Sequence, residues 1–276
     1  MKQLPHPIIG GSFSSPVTPG TNWPMDVATT QTPIAKSETQ LKKIATAANS
    51  LTELTAAISV CRACPRLVSW RTDVAITKRK SFEDQPYWGR PATGFGAVDP
   101  ALLVVGLAPA ANGANRTGRI FTGDRSGDWL YRAMHKAGFA NQPTSEHAGD
   151  GLELIDARVL AAVRCAPPGN KPTPTERDIC SHWFAAELKF LPNVQVIIAL
   201  GGFAWDQTIS ILTQQDYLGP KVKFGHGAAI EFTKDKRSVL LLGSYHVSQQ
   251  NTFTGRLTEA MLDYIFNQAK ARINSG

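Results

Sequence analysis

The chain has 276 residues, of which 42% are hydrophobic, and it can bury the core of one large domain or of a domain with a tail. Lysine and arginine number 29 against 22 aspartate and glutamate residues, a net charge of +7 that suits a nucleic-acid partner and also fits an ordinary basic protein. No apolar run approaches the roughly 20 residues of a membrane helix, and the N-terminus lacks the apolar centre of a signal peptide, so we expect a cytoplasmic protein without a membrane partner.

The first part of the chain has the composition of a tail. Residues 1–37 mix six prolines with glycine, serine and threonine, and we expect them to be disordered or to lie along the surface of a domain formed by residues 38–276. Leu51, Leu54, Ile58 and Cys61 then recur at helical spacing. They predict a helix that Pro65 ends, with Cys61 on its buried side.

A long polar segment follows the first predicted buried strand. The strand is Leu102–Val105, and the segment that follows, 106–128, is rich in glycine, alanine, asparagine and threonine before a helical pattern resumes at Trp129. Ligands of open α/β sheets bind at the carboxyl ends of strands, and long loops inside compact domains are usually functional. Arginines within the segment predict that it holds an anion: Arg116, Arg119 and Arg125.

Further strands alternate with helical patterns along the rest of the chain. The apolar segments 194–202 and 238–246 each precede a helical pattern. This alternation predicts an α/β fold in which helices cover both faces of a parallel sheet.

The four cysteines form two groups. Cys61 and Cys64 make a C-x2-C pair, and Cys165 and Cys180 follow far downstream. Residues 173–176 read as a capping box with proline at the first helical position, so Cys180 should lie on a helix. Cysteines grouped in this way in a cytoplasmic protein favour four-thiolate ligation over disulfides. Zinc and a [4Fe-4S] cluster both accept four thiolates; one tight pair with two widely spaced cysteines fits a cluster better, and buried structural cysteines are the third alternative.

A second polar segment, 243–256, begins at the end of another apolar strand. His246 and Asn251 should therefore share a sheet edge with the segment 106–128. The hydroxyl and amide side chains around them fit a loop that hydrogen-bonds exposed base edges or fills a gap in a base stack. A hydrophilic turn is the alternative.

Together these features resemble the uracil-DNA glycosylase superfamily, in particular its family 5 branch, over residues 50–270. The motifs that carry the resemblance are GLAPAANGANRTGRIFTGD (106–124), VRCAPPGNKPTP (163–174), HVSQQNTFTG (246–255) and the four cysteines. PYWGRP (86–91), RSGDWL (125–130) and LGGFAW (200–205) are similar to actinobacterial, including mycobacterial, members. The resemblance implies a single three-layer αβα domain with a central, mainly parallel, four-stranded sheet. It also implies a [4Fe-4S] cluster on Cys61, Cys64, Cys165 and Cys180, and the excision of uracil, and of other deaminated bases such as hypoxanthine, from DNA by a monofunctional, monomeric enzyme acting on the bacterial nucleoid.

The resemblance also implies roles for individual residues. Ala108 occupies the place where most relatives carry a water-positioning carboxylate or amide, so the reaction relies on His246, which donates to the departing uracil O2. Asn115 is the expected water-orienting residue, with Asp124 as a competitor, and Phe121 is expected to stack on the flipped base. The predicted substrate pocket comprises Gly106, Ala108, Asn112, Phe121 and Asp124. The predicted DNA contacts are Arg116, Arg119, Lys171 and Arg256 on phosphates, with Ser248, Gln250 and Asn251 at the duplex.

The chain departs from the family pattern in ways that bear on substrate choice. Asn112 stands where histidine is usual, and Val247 stands where proline is common. Ala161 lies near the position of a base-reading asparagine of family 4, and the loss of that amide predicts broader base acceptance. Ala108 together with Asn112 leaves open a catalytically weak relative that binds damaged DNA. A nucleotide-phosphate enzyme is disfavoured, because neither a G-x-G-x-x-G motif nor a P-loop follows the first strand.

Overall fold

A computed structural model describes residues 3–275 of the protein. Its strands are β1 (Leu4–Pro5), β2 (Ser12–Phe13), β3 (Phe95–Gly96), β4 (Leu102–Gly106), β5 (Ala157–Ala161), β6 (Val196–Leu200), β7 (Ala229–Lys234) and β8 (Arg237–Ser244). Its α-helices are α1 (Glu38–Ala47), α2 (Leu51–Ser59), α3 (Pro65–Thr77), α4 (Ala114–Thr117), α5 (Arg125–Lys136), α6 (Pro174–Lys189), α7 (Gly202–Gln214), α8 (Gln249–Phe253) and α9 (Glu259–Asn274). Short 3-10 helices occupy Lys80–Phe82 and Pro168–Asn170.

The central sheet has six strands in the order β3-β5-β4-β6-β8-β7. The four central strands are parallel, and the two edge strands, β3 and β7, are antiparallel to their neighbours. The prediction of an α/β fold with a mainly parallel sheet is confirmed. Three of the four parallel strands, β4, β6 and β8, are those that the sequence predicts, and β5 is the fourth. The edge strands add to that prediction, because β3 has only two residues and the exposed and buried residues of β7 alternate as they do at a half-covered edge.

Helices cover both faces of the sheet and produce the predicted three layers. On one face, α5 and α9 contribute Leu130, Met134 and Phe266 to a core shared with β4 and β6. On the other face, α6 and α7 contribute Phe184 and Trp205. Every residue of β4, β5 and β6 is buried, as expected for parallel strands between two helical layers. Within residues 3–275, none of the helices has the length and hydrophobicity needed to cross a membrane.

The helix predicted to contain Cys61 ends earlier than expected. The helix α2 stops at Ser59, so Cys61 follows it in a short connection. The prediction that Pro65 ends this helix is wrong, because Pro65 is the first residue of α3. Proline favours that position, since the amide it lacks would have no partner in the first turn.

The N-terminal segment lies against the domain where it is described. Phe13, Val17 and Trp23 are buried together with Trp88. The Trp23 indole donates to the carbonyl of Thr117 at 3.3 Å, inside the loop that follows β4. Trp23 therefore anchors the N-terminal segment to that loop.

A buried carboxylate joins the sheet to α6. Glu187 accepts from Arg158 Nε at 2.8 Å and from Arg164 Nη2 at 2.5 Å, and all three side chains are buried. Burial opposes ionisation of Glu187, but the two guanidinium groups outweigh it and lower the pKa of the carboxyl. The ion cluster fixes α6, which carries Cys180, relative to the end of β5.

We predict that Glu187→Gln lowers the free energy of unfolding by about 3 kcal/mol, because removing one partner leaves buried guanidinium charge uncompensated. The matched control is Glu259→Gln. Glu259 pairs with Arg132 and Lys136 on the surface, so its replacement should cost less than about 1 kcal/mol. Urea denaturation measures both. Equal small losses for the two variants would contradict the structural role of Glu187.

Candidate active site

Two loops meet at the carboxyl edge of the parallel strands. The segment 107–124 follows β4, and the segment 245–258 follows β8, two strands away in the sheet. They bring Phe121 and His246 together, with ring centroids 6.0 Å apart and ring planes inclined by 38°. The structure therefore brings these two predicted site residues to one sheet edge.

Phe121 is held in an unusual backbone conformation. Its φ angle is +50°, a region that residues other than glycine seldom occupy. A Cβ on Gly106 would lie 2.5 Å from Cζ of the Phe121 ring, so only glycine at the end of β4 lets the ring lie there. The ring is buried and joins the core between β4 and α5. Such strain at a strand end is typical of a site that positions a ligand.

His246 presents a neutral imidazole. Burial lowers the pKa of His246 to about 4, so the ring is uncharged at physiological pH. Its backbone is fixed, since Asn251 Nδ2 donates to the His246 carbonyl at 2.8 Å and the neighbouring Val247 is buried. Within residues 3–275 neither ring nitrogen has a hydrogen-bond partner. The imidazole is thus available to donate a hydrogen bond to a ligand.

Asn112 and Asp124 lie on the same loop as Phe121 and are both partly exposed. Asn112 Oδ1 accepts from the Tyr87 hydroxyl at 2.9 Å, which fixes the amide. Asp124 caps α5 by accepting from the amides of Ser126 and Gly127 through Oδ1. Burial raises the pKa of Asp124, although these two amides oppose the shift. Its Oδ2 has no hydrogen-bond partner in the described part of the chain.

Asn115 has an internal position. It is 1% exposed, and its Nδ2 donates to the carbonyl of Arg71 at 3.2 Å. This contact ties the loop to α3. Its Oδ1 is buried and has no hydrogen-bond partner among residues 3–275, so the water-orienting role of Asn115, with Asp124 as its competitor, stays a prediction.

Arg116 and Arg119 also lie inside the protein, where the sequence predicted phosphate contacts. Arg116 donates to the carbonyls of Asn112 and Gly123, which lie on either side of it in the loop. Arg119 forms an ion pair with Asp150 at 2.6 Å and is 1% exposed. Neither guanidinium is free to bind DNA, so the prediction is corrected: these two arginines build the loop that carries Phe121.

The other predicted DNA contacts lie at the surface. Lys171, Gln250 and Arg256 are exposed, and the Arg256 guanidinium lies 4.6 Å from the centroid of the Tyr245 ring. Ser248 is partly exposed and precedes α8, and Asn251 is committed to the His246 carbonyl. Asn251 thus positions His246.

The four cysteines are free thiols that line one cavity. Cys61, Cys64, Cys165 and Cys180 surround it together with Leu67 and Trp183. Two nitrogens point at sulfur: Arg71 Nη1 donates to Cys165 at 3.4 Å, and the Arg164 amide donates to Cys180 at 3.3 Å. Burial raises the pKa of Cys64 to about 12 and that of Cys165 to about 11. Over residues 3–275, no three histidine, cysteine, aspartate or glutamate side chains are grouped so as to hold a metal ion as they stand.

Comparison with known proteins identifies the family. The model of the uracil DNA glycosylase superfamily matches residues 93–270. The chain belongs to this superfamily. It is 56% identical over 266 residues to the type-5 uracil-DNA glycosylase of Mycobacterium tuberculosis, covering 96% of this chain and 97% of the relative. It is 46% identical over 213 residues to the type-5 uracil-DNA glycosylase of Thermus thermophilus, covering 77% of this chain and 94% of the relative. The type-4 uracil-DNA glycosylase of Thermotoga maritima is 28% identical over 148 residues, or 53% of this chain and 59% of the relative.

Several residues that support the site have no role in the prediction from sequence. Tyr87 lies in the PYWGRP motif, yet only the fold shows that it holds Asn112. Arg71 donates to Cys165 and to the Cys61 carbonyl, and its own carbonyl accepts from Asn115. Arg71 therefore links the cysteine cavity to the loop of Phe121. Residues of this kind carry no local signal, because their partners are distant in sequence.

We predict that Gly106→Ala destabilises the protein by about 1–3 kcal/mol, because the added methyl group overlaps the Phe121 ring. Gly202→Ala is the matched control, since a Cβ there would make an ordinary contact of 3.5 Å with Phe224. The free energy of unfolding of each variant measures the difference. A Gly106→Ala protein as stable as the control would show that the ring yields freely and is not held over the end of β4.

Proposed function

We propose that the protein removes uracil from DNA by hydrolysing the N-glycosidic bond, leaving an abasic site. The observation that carries the proposal is the neutral, unpartnered imidazole of His246 beside Phe121 at the carboxyl edge of a parallel sheet. Membership of the uracil DNA glycosylase superfamily supports this reading of the site. The type-5 relatives, named uracil-DNA glycosylases, support the substrate.

The departing base determines the chemistry that the site must supply. Cleavage of the bond produces an electron-poor sugar and a base anion whose charge spreads over the uracil ring. A neutral imidazole that donates its N–H to uracil O2 stabilises the negative charge of the base as it develops. The imidazole does not first have to lose a proton to solvent. His246 meets this need because its lowered pKa keeps the ring neutral. Ala108 contributes no acid or base, so stabilisation of the leaving group carries most of the rate.

Water approaches the sugar from the side of the first loop. We assign Asp124 Oδ2 the task of orienting that water, since Oδ1 is occupied by the amides at the start of α5. Asn115 supports the loop through Arg71. Phe121 stacks on the extruded base, and an aromatic face accepts more than one kind of base.

The DNA duplex lies across the exposed side chains around the two loops. Lys171 and Arg256 meet phosphates, and Gln250 and Ser248 meet the duplex beside the extruded nucleotide. Phe253 adds an exposed ring on α8, 65% accessible and 5.5 Å from the Arg125 guanidinium. An aromatic ring at the mouth of the site is suited to act as a wedge beside an unstacked base. We propose that the enzyme works as a monomer on the bacterial nucleoid.

The proposal extends to hypoxanthine. Selectivity of a base pocket comes from polar groups that a wrong base would leave unpaired. Here β5 ends in Ala161, which supplies no side-chain amide, and the side-chain oxygen Oδ1 of Asn112 already accepts from the Tyr87 hydroxyl. A duplex containing hypoxanthine should therefore also lose its base. Release of uracil alone would restrict the proposal to uracil.

We also propose that Cys61, Cys64, Cys165 and Cys180 hold a [4Fe-4S] cluster. The four free thiols around one cavity support it, as do the two N–H donors aimed at sulfur, which would stabilise thiolate charge. The raised pKa values describe protonated thiols, which lose their protons when a metal binds. Bound there, the cluster would join the connection before α3 to α6 and have a structural role.

The test of the catalytic proposal is His246→Ala. We expect single-turnover release of uracil at saturating DNA to fall by about 100-fold or more, because one donor to the developing anion is lost. Affinity for an abasic-analogue duplex should change little. Since the pKa of His246 is about 4, the wild-type rate should show no step near 6.5, the ordinary histidine value. The control is His135→Ala, an exposed histidine on α5.

Two outcomes of that experiment would change the proposal. Unchanged release by His246→Ala would remove the histidine from its role. Wild-type protein that binds uracil-containing DNA but releases no base would favour the alternative, a damage-binding relative. The specific feature behind this alternative is Ala108, which leaves no acid or base at its position in the first loop.

The cluster proposal predicts about four iron and four sulfide ions per chain in anaerobically purified protein, with a charge-transfer absorbance that bleaches on reduction. Cys165→Ser should lose iron and lower the thermal unfolding temperature. Zinc without colour would identify a four-thiolate zinc site instead. Protein with neither metal would refute ligation.

A further inference from the structure

The segment 219–228 leads into β7 and contains no helix or strand. The strand β7 runs antiparallel to β8, with Ala229 opposite Leu242, so the segment reaches the sheet close to the point where β8 ends. That is the edge at which Phe121 and His246 meet.

The segment is attached to the start of the His246 loop. His226 Nδ1 accepts from the Tyr245 amide at 3.2 Å, and the Phe224 and Tyr245 rings lie 6.3 Å apart. Trp205 Nε1 donates to the Val222 carbonyl at 3.1 Å. These contacts fix the backbone on both sides of residue 223, so side chains there are presented from a defined position.

The segment presents two lysines to solvent. Lys221 and Lys223 are exposed and flank Val222, and within residues 3–275 neither ammonium makes a hydrogen bond or an ion pair. Their Cα atoms are at most about 7 Å apart, because two residues span no more than this. Arg256 lies over the ring of Tyr245, the same residue that the segment contacts. Positive side chains therefore continue from the His246 loop onto the segment 219–228.

We propose that the segment 219–228 is a second DNA-binding surface, in which Lys221 and Lys223 bind phosphates of the duplex on one side of the extruded nucleotide. The inference rests on the proposed DNA substrate. A duplex held only at the mouth would pivot about the extruded base. Two cations on a fixed backbone at one side set its direction, and exposed lysines lose little solvation when they bind phosphate.

The salt dependence of DNA binding tests the proposal. Lys221→Ala/Lys223→Ala in the full chain should make the slope of log affinity on log salt shallower by about 1.8, since each phosphate contact contributes about 0.9. The probe is a duplex with an abasic analogue that the enzyme does not cleave. The control is Lys189→Ala/Lys236→Ala, which removes two exposed lysines near the opposite ends of the strands. A slope unchanged from wild type would overturn the proposal.

A second series locates the contact. Shortening the duplex on one flank of the lesion should weaken wild-type binding and should have much less effect on the Lys221→Ala/Lys223→Ala protein, whereas shortening the other flank should affect both equally. Equal losses on both flanks for both proteins would overturn the assignment. Because neither measurement requires base release, a protein that fails to excise uracil would refute the proposed function without deciding this one.

Discussion

Two buried guanidinium groups determine the shape of the loop on which the site depends. Arg116 joins the two ends of the turn through the carbonyls of Asn112 and Gly123, and Arg119 binds Asp150 from inside. A buried cation is costly unless its donors are all satisfied, so each holds its partners in one arrangement. The contacts of these two arginines maintain the strained backbone of Phe121.

The loop held by Arg116 and Arg119 explains how a site with little acid or base chemistry can act. Preorganised dipoles stabilise developing charge best when they do not move during the reaction. His246 is neutral, and Asn251 fixes it through its backbone carbonyl. It faces the Phe121 ring, which fits there because residue 106 is glycine. The cysteine cavity reaches the same loop through Arg71 and Asn115. A cluster bound there would support the loop without taking part in the reaction.

The sequence predicted the features that local pattern encodes. Apolar runs such as Leu102–Val105 have the signature of buried parallel strands, and the capping box at Thr173 placed Cys180 on a helix, as observed. It could not predict which arginines are buried, because the partner of Arg119 is Asp150, 31 residues away. Nor could it predict that the Asn115 amide donates to the carbonyl of Arg71, 44 residues away. Charge in a glycine-rich loop indicates anion binding only when the fold leaves it exposed.

Arg116 and Arg119 therefore act on the protein and not on the DNA. The most direct measurement is the salt dependence of DNA binding by Arg116→Gln, combined with its single-turnover rate at saturating DNA. We expect an unchanged slope of log affinity on log salt and a slower release of base, because the loop loses the donor that joins Asn112 to Gly123. A slope shallower by about 0.9 with an unchanged rate would show instead that Arg116 binds a phosphate.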